Sequence, residues 1–356
     1  MSLRNVLMIV SFVLSVLVGV VLSRSGRPGE VTSPSARPTP EILIGLSLDT
    51  LKEARWQADR DFFVEAAQKL GAKVLVQAAN SDDARQMQDV ESLVSNGVRV
   101  LVIVPHDSKT MARAVEVAHK ANIPVIAYDR MIRDSDVDLY VSFDNAKVGE
   151  EQARWLLQRL PDHKGRIVRI HGAPTDDNAR LFKEGQDRLL RPAIERGDVT
   201  VVHEDWAEEW KPENGKKIAN AALSKHGRFD AILAANDGTA GGAIQALVEE
   251  GIAGKVLVTG QDAELAGLQR IAAGTQSMTI YKPLRTLSAN AASAAVKLAK
   301  GQPVVAKLDV PNGKHDVPAI LALVVAVDAM NMDATVFKDG FHKREDVFRG
   351  LEAGAP

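Results

Sequence analysis

The sequence predicts an α/β protein made of two doubly wound parallel-sheet lobes. Short apolar runs alternate with amphipathic stretches along almost the whole chain, the pattern of repeated strand–helix units. The apolar runs are near-continuous rather than alternating polar and apolar, so they read as strands buried on both faces between layers of helices. The runs are also too numerous for one open sheet of ordinary width, and two lobes are the simpler solution.

The elements follow in order. "EILIGLSL" (41–48) is a strand, and 56–70 carries Phe62, Phe63, Ala66, Ala67 and Leu70 at helical spacing. "AKVLVQAA" is a strand. "DDARQMQDVESLVSNG" is a helix, with residues 80–82 as its N-cap region and Gly97 at its C-terminal end. "VRVLVIVP", the helix "SKTMARAVEVAHKAN" and "PVIAYD" continue the alternation, followed by "VDLYVSFDN" and the helix "AKVGEEQARWLLQRL". Next come "GRIVRIHG", a helix near 178–196, "VTVVHEDW", a helix near 212–225 and "FDAILAAND". "KVLVTGQD", the helix "ELAGLQRIAAG", "SMTIYK", a long helix over 283–300 and the apolar run "AILALVVAV" complete the body. The boundary between lobes falls near 147–150, after "YVSFDN".

The chain has 356 residues, 46% hydrophobic and 25% charged, an ordinary globular balance with length for two cores. A formal net charge of −2 leaves no global basic footprint for nucleic acid. With no cysteine there are no disulfides, thiolate metal sites, cysteine nucleophile or lipid-modified cysteine. Arg4 precedes the apolar run "VLMIVSFVLSVLVGVVL", so 1–22 reads as a signal peptide or a membrane anchor. "SRSGRPGEVTSPSARPTP" (23–40) is a Pro/Ser-rich linker that buries no face, and it places the body outside the cytoplasm.

In open α/β sheets ligands sit beyond the carboxyl ends of the strands. This chain collects polar and aromatic residues there. Asp49, Arg55 and Trp56 follow the first strand; Asp129 and Arg130 end "VIAYDR"; Asp144 and Asn145 end "YVSFDN". Asp176 and Asn178 follow "VRIHG", Trp206 and Trp210 follow "VVHED", Asn236 and Asp237 end "ILAAND", Asp262 ends "VLVTGQD" and Lys282 ends "MTIYK". Taken singly, an Asp or Asn after a strand also reads as the N-cap of the next helix, and Asp49, Asp144 and Asp237 fit that role. Lys282 and Arg130 cap no helix N-terminus, and two Trp stand out among only 4% aromatics. Pooled, the residues predict one polar ligand site. Carboxylates accept from sugar hydroxyls, Arg and Lys donate, Asn does both, and an aromatic plate stacks on the C–H face of a ring. Mixed acids and bases suit a neutral polyol better than an anion. Trp56 and Trp210, from opposite lobes, are placed to sandwich one ring.

Other motifs carry less. "GTAGGA" (238–243) lacks dinucleotide-fingerprint spacing. "DAMNMD" (328–333) lacks calcium-loop spacing, and His171 has no metal partner at usable spacing, so neither cofactor nor metal is expected.

The sequence resembles the ribose/galactose-type sugar-binding proteins of bacterial ABC transporters, and within them the D-xylose-binding branch. The resemblance covers about 42–343 and rests on "EARWQADRD", "VLVIVPHD", "IAYDRMI", "VSFDNAKVGE", "NDGTAGGAIQAL", "GQDAELAGLQRIAAGTQSMTIYKP" and "KDGFHK". It implies a type I periplasmic binding-protein fold, two lobes joined by a hinge, and a monomer that carries D-xylose or a related pentose to an ABC permease. It also implies hydrogen bonds to sugar from Arg55, Asp129, Arg130, Asn178, Asn236, Asp262 and Lys282, with Asp176 close by. Trp210 would stack on the ring, with Trp56 as the first-lobe aromatic. Asp144 joins them as a ligand-binding candidate from its strand-end position. The implied lobes are 41–148 plus about 283–311, and 149–282 plus about 312–350, with hinge crossings near 144–148, near 282–283 and beyond Pro311. Two other functions stand beside this one. A glycoside hydrolase would use two of Asp129, Asp144, Asp176 and Asp262, although Arg130 and Lys282 should keep those acids ionised. A membrane-tethered sugar sensor would use the N-terminal run as its anchor. A repressor is disfavoured, since the chain opens with no helix-turn-helix.

Overall fold

The computed structural model describes residues 41–351 together with residues 10, 11 and 13. The expected signal peptide or anchor (1–22) and the linker (23–40) lie, those three residues apart, outside the described residues. Among the described residues no helix is long and apolar enough to cross a membrane.

The first sheet contains β1 (Ile42–Leu48), β2 (Ala72–Ala78), β3 (Val100–Ile103), β4 (Val125–Tyr128), β5 (Leu139–Phe143), β11 (Leu308–Pro311) and β12 (Asp316–Ala322), in the order β11-β12-β5-β4-β3-β1-β2. All neighbours are parallel except the β11–β12 hairpin. Successive side chains on a strand point to opposite faces, and the two faces are covered by different helices. Val100 and Val102 of β3 face α1 (Ala54–Lys69) and α9 (Leu284–Ala299), through Phe63, Leu287 and Ala291. Leu101 and Ile103 face α2 (Asp83–Ser95) and α3 (Ala112–Lys120), through Val90, Leu93 and Val115. The near-continuous apolar strands of the sequence are thus the double winding itself.

The second sheet repeats the plan. β6 (Gly165–His171), β7 (Val199–Trp206), β8 (Ala231–Ala234) and β9 (Leu257–Val258) are parallel in the order β7-β6-β8-β9. α4 (Asn145–Arg159) and α5 (Asp177–Glu195) cover one face through Leu156 and Leu190; α6 (Pro212–His226) and α7 (Asp237–Glu249) cover the other through Ile218 and Leu247. β10 (Thr279–Tyr281) pairs antiparallel with β13 (Val325–Val327). That pair extends the sheet, because Ile280 N donates to Gly260 O at 3.2 Å and Asp262 N donates to Ile280 O at 2.8 Å. α8 (Leu265–Ala272) packs Leu268 and Ile271 beside Tyr281 and Val327.

The chain passes between the sheets three times: at Asp144, at Lys282–Pro283 and at Leu323–Val324. The third passage differs from the boundary expected near 312. Asp316–Ala322 pairs parallel with β5, Ala319 opposite Tyr140, and so belongs to the first sheet. "AILALVVAV" looks like one apolar strand, yet it is two strands in two sheets, and Leu323 at the passage is 84% exposed. The antiparallel pairs at the sheet edges likewise depart from an all-parallel expectation. A short hairpin suffices for β11–β12, whereas β10 and β13 are joined through 282–324, which passes through the first sheet.

α4 and α5 meet backbone to backbone. A Cβ on Gly149 would lie 2.0 Å from Phe182 O, and one on Gly185 would lie 1.9 Å from Ala146 O. Two glycines on facing helices make this approach possible. Gly185→Ala is therefore expected to lower the free energy of unfolding by about 1–3 kcal/mol through overpacking, measured by urea denaturation followed by far-UV circular dichroism.

Candidate functional site

The parallel strands of the two sheets deliver their carboxyl ends to one cavity of about 50 Å³. β1 leads to Asp49, Glu53, Arg55 and Trp56, β3 to His106, and β4 to Asp129 and Arg130. From the second sheet, β6 leads to Asp176 and Asn178, β7 to Trp210, β8 to Asn236, β9 to Gln261 and Asp262, and β10 to Lys282. Ten of the eleven site residues expected from the sequence line this space. Asp144 does not. Its carboxylate accepts from Lys147 N at 3.0 Å as the N-cap of α4, at the first passage between sheets.

Five lining residues hold a backbone conformation that side chains rarely adopt: Ser81 (φ 62°), Asp129 (φ 60°), Glu209 (φ 53°), Trp210 (φ 57°) and Asp262 (φ 92°). Such strain persists where surrounding contacts over-determine it, and it concentrates at functional sites. Asp129 is held in this way. Its carbonyl accepts from Ser142 Oγ at 2.6 Å and Tyr140 Oη at 3.1 Å.

Two chains of alternating charge run through the cavity wall. In one, Arg55 donates to Asp129 and approaches Asp262 at 3.7 Å, while Lys282 Nζ lies 2.8 Å from Asp262. Asn178 Nδ2 donates to Asp129 Oδ1 at 3.3 Å. In the other, Arg130 donates to Asp49 at 2.8 Å and pairs with Asp176 at 2.8 Å, and His106 Nδ1 lies 2.9 Å from Asp49. Trp210 Nε1 donates to Asp176 at 3.2 Å. Asp129, Arg130, Asp176, Asp262 and Lys282 are buried, and Arg55 is half-buried. Buried polar atoms of Arg55 (Nε) and Gln261 (Oε1) have no hydrogen-bond partner among the described residues, so the wall retains both donor and acceptor capacity.

The aromatic residues differ from the expected sandwich. Trp56 is 4% exposed, with the Arg55 guanidinium 4.1 Å and the Arg130 guanidinium 5.2 Å from its ring centroid. It supports the two cations through its π face rather than presenting an open plate. Trp210 stands edge-on to Phe182, ring centroids 6.3 Å apart. It also lies over Gly172, where a Cβ would come within 1.9 Å of the indole. Trp206 packs instead against His171, tilted with ring centroids 4.8 Å apart, and is not part of the cavity.

Capping and cavity roles coexist at two positions. Asp176 accepts from Asn178 N at 2.9 Å as the cap of α5 while its other oxygen faces Arg130. Asn236 spends Oδ1 on a capping box with Thr239 and donates its amide N–H groups to no protein atom among the described residues. Asp49, Glu53, His106, Gln261 and Glu264 line the cavity without having been selected from the sequence. The strand-end rule would have found His106, directly after "VLVIVP", and Asp49 was marked as a strand end but read as a cap.

The charges set the protonation states. Burial pushes Asp129 up, but Arg55, Lys282 and Arg130 outweigh it and hold the carboxyl below its usual value. At Asp49 burial is likewise outweighed, by His106 and Arg130, and the Asp49 hydrogen bond raises His106. Asp176 goes the other way: its burial exceeds the pull of Arg130 and raises its carboxyl above the usual value. Burial lifts Asp237 to about 7, and burial with the nearby Asp237 and Asp262 charges lifts the half-buried Glu264 to about 8. A carboxyl whose pKa is raised on folding makes the native state bind more protons than the unfolded state, so stability falls as pH rises through the folded pKa. The thermal midpoint should therefore increase as pH is lowered from 9 to 7. Glu264→Gln should flatten that increase, as differential scanning calorimetry at half-unit intervals would record.

Comparison with known proteins agrees with this architecture. The periplasmic binding protein domain matches residues 44–303. The chain is 47% identical over 308 residues to the D-xylose-binding periplasmic protein of Escherichia coli K12, covering 86% of this chain and 93% of that one. It is 44% identical over 315 residues to the D-xylose-binding periplasmic protein of Haemophilus influenzae, covering 88% and 94%. A carbohydrate transporter solute-binding protein from Chloroflexus aurantiacus, solved in complex with D-glucose, superposes with a TM-score of 0.80 at 35% identity, covering 85% of this chain and 97% of that one. With its two helix-covered sheets and the cavity at their strand ends, the chain belongs to the periplasmic binding protein domain family.

Proposed function

We propose that this protein is a non-enzymatic, extracytoplasmic receptor that binds one monosaccharide, D-xylose, in the cavity and delivers it to the permease of an ABC importer. The observation that carries the reading is the cavity wall. Acids, bases and amides from both sheets alternate at hydrogen-bonding distance around a space small enough for one ring. Such a wall can satisfy every hydroxyl of a sugar with charge-assisted bonds, which are the strong ones. The two D-xylose-binding relatives support the choice of sugar.

In this reading Arg55, Asp129, Arg130, Asn178, Asn236, Asp262 and Lys282 bond the hydroxyls. Asp176 orients Arg130 and Trp210, Trp210 supplies the apolar plate, and Trp56 backs the two guanidinium groups. The lobes are 42–143 with 284–322, and 145–281 with 325–351, closing about the three passages by a hinge motion. The protein acts as a monomer on the outer side of the cytoplasmic membrane, exported by its N-terminal apolar run.

Isothermal titration calorimetry with D-xylose, other pentoses and hexoses tests the reading. One-to-one binding with D-xylose tightest is expected, and silence toward every sugar would refute it. Asp262→Ala and Trp210→Ala should each weaken D-xylose binding by about 1–3 kcal/mol while the protein stays folded. Asp144→Ala should lower stability by about 0.5–2 kcal/mol through loss of a cap and leave the dissociation constant unchanged.

A further inference from the structure

Behind the cavity wall, in the first sheet's layer of helices, lies a buried polar cluster that lines no part of the cavity. Asp59 sits on α1 one turn after Arg55 and is fully buried. Its Oδ1 accepts from the Tyr128 hydroxyl and, at 2.7 Å, from the Ser288 hydroxyl; those two hydroxyls are 3.0 Å apart. Its Oδ2 is buried without a hydrogen-bond partner among the described residues and lies 3.9 Å from Arg55 Nη2. Tyr128 immediately precedes Asp129 on β4. Ser288 belongs to α9, the helix that follows Lys282 across the second passage. One carboxylate therefore ties together α1, which carries Arg55, the end of β4, which leads into Asp129 and Arg130, and α9, which follows Lys282.

A fully buried carboxylate is a costly way to join two hydroxyls, since a neutral amide oxygen accepts the same two bonds. What an amide lacks is the negative charge facing Arg55. That guanidinium is one of two cavity cations on the first-sheet side, with Asp129 and Asp262 on one side of it and Asp59 on the other. We infer that Asp59 is a positioning residue: clamped by Tyr128 and Ser288, its carboxylate sets the aim of Arg55 into the cavity, so that sugar affinity follows the ionisation of Asp59. The inference rests on the sugar-binding reading above.

Asp59 is suited to such a role near neutral pH. Burial raises its pKa to about 6 against the lowering pull of Arg55 and Tyr128. The groups acting on it are Arg55 from its own helix, Tyr128 and Asp129 from β4, and the Ser288 hydroxyl from α9. Above that pH the charge is present; below it the proton cancels that restraint on Arg55.

The test is D-xylose affinity by calorimetry from pH 5 to pH 8 for the wild type, Asp59→Asn and Tyr128→Phe. The readout is the ratio of variant to wild-type dissociation constant, in which the titrations of His106, Glu264 and Asp237 cancel. For Asp59→Asn the ratio should be about tenfold at pH 7.5, the loss of one charge-assisted contact, and should fall toward one at pH 5. Tyr128→Phe removes a donor from the carboxylate, so the loss of affinity should begin at higher pH than in the wild type; this variant serves if Asp59→Asn does not fold. A ratio independent of pH, or a ratio of one at pH 7.5 with Tyr128→Phe unshifted, overturns the inference and leaves the sugar-binding reading intact. Absence of D-xylose binding by the wild type at every pH overturns both.

Discussion

The site depends on Arg130 reaching across the two sheets. Its guanidinium binds Asp49 beyond β1 and Asp176 beyond β6, and each ion is buried. A buried charge without a partner costs several kcal/mol. Each of these three residues therefore requires the other two in place, and together they specify how the ends of the two sheets face each other. Arg55 repeats the arrangement with Asp129 from the first sheet and Asp262 from the second. The walls of the cavity are thus the contacts that hold its halves in register.

Buried ion pairs of this kind contribute little net stability, because desolvation offsets most of the Coulombic gain. Their value lies in geometry. Stability comes from elsewhere: the double-sided apolar packing of β1, β3 and β4, and the layers of α4 with α5 and α6 with α7. This division lets the sheet ends carry strained and charged residues at some cost. Asp129, Trp210 and Asp262 hold left-handed backbone, and Asp59, Asp237 and Glu264 are carboxyls whose surroundings disfavour their charge. Departures from local rules are expected where function is placed.

The two sheets also explain how the second strand order repeats the first. Counting β10 and β13 as extensions of the second sheet, each lobe has a doubly wound core, and its last strand arrives from the far end of the chain. The passages are short: one residue at Asp144, two at Lys282–Pro283 and two at Leu323–Val324. Asp144 N donates to Ala322 O at 3.3 Å, so the first and third passages run side by side. Such a bundle of short connections resists shear and permits bending.

The double winding was legible in the sequence because burial on both faces demands unbroken apolar strands, and "VLVIVP" or "ILAAND" can satisfy nothing else. The site was legible because that topology sends strand ends to one edge, where Arg130 and Lys282 have no capping role to explain them. What stayed hidden were decisions that local sequence leaves degenerate. Asp144 and Asp176 are both acids before a helix, yet one only caps and the other caps and faces Arg130, because β5 ends at a passage between sheets whereas β6 ends at the cavity. "AILALVVAV" could be one strand or two, and only pairing with β5 on one side and β10 on the other divides it. Trp56 could be a stacking plate until two guanidinium groups are found over its ring. Residue type and period alone determined which strands are buried and which edge is polar, since both follow from contacts each segment must make. Which polar residue meets which partner was decided only by the tertiary structure, since those partners lie tens of residues away along the chain.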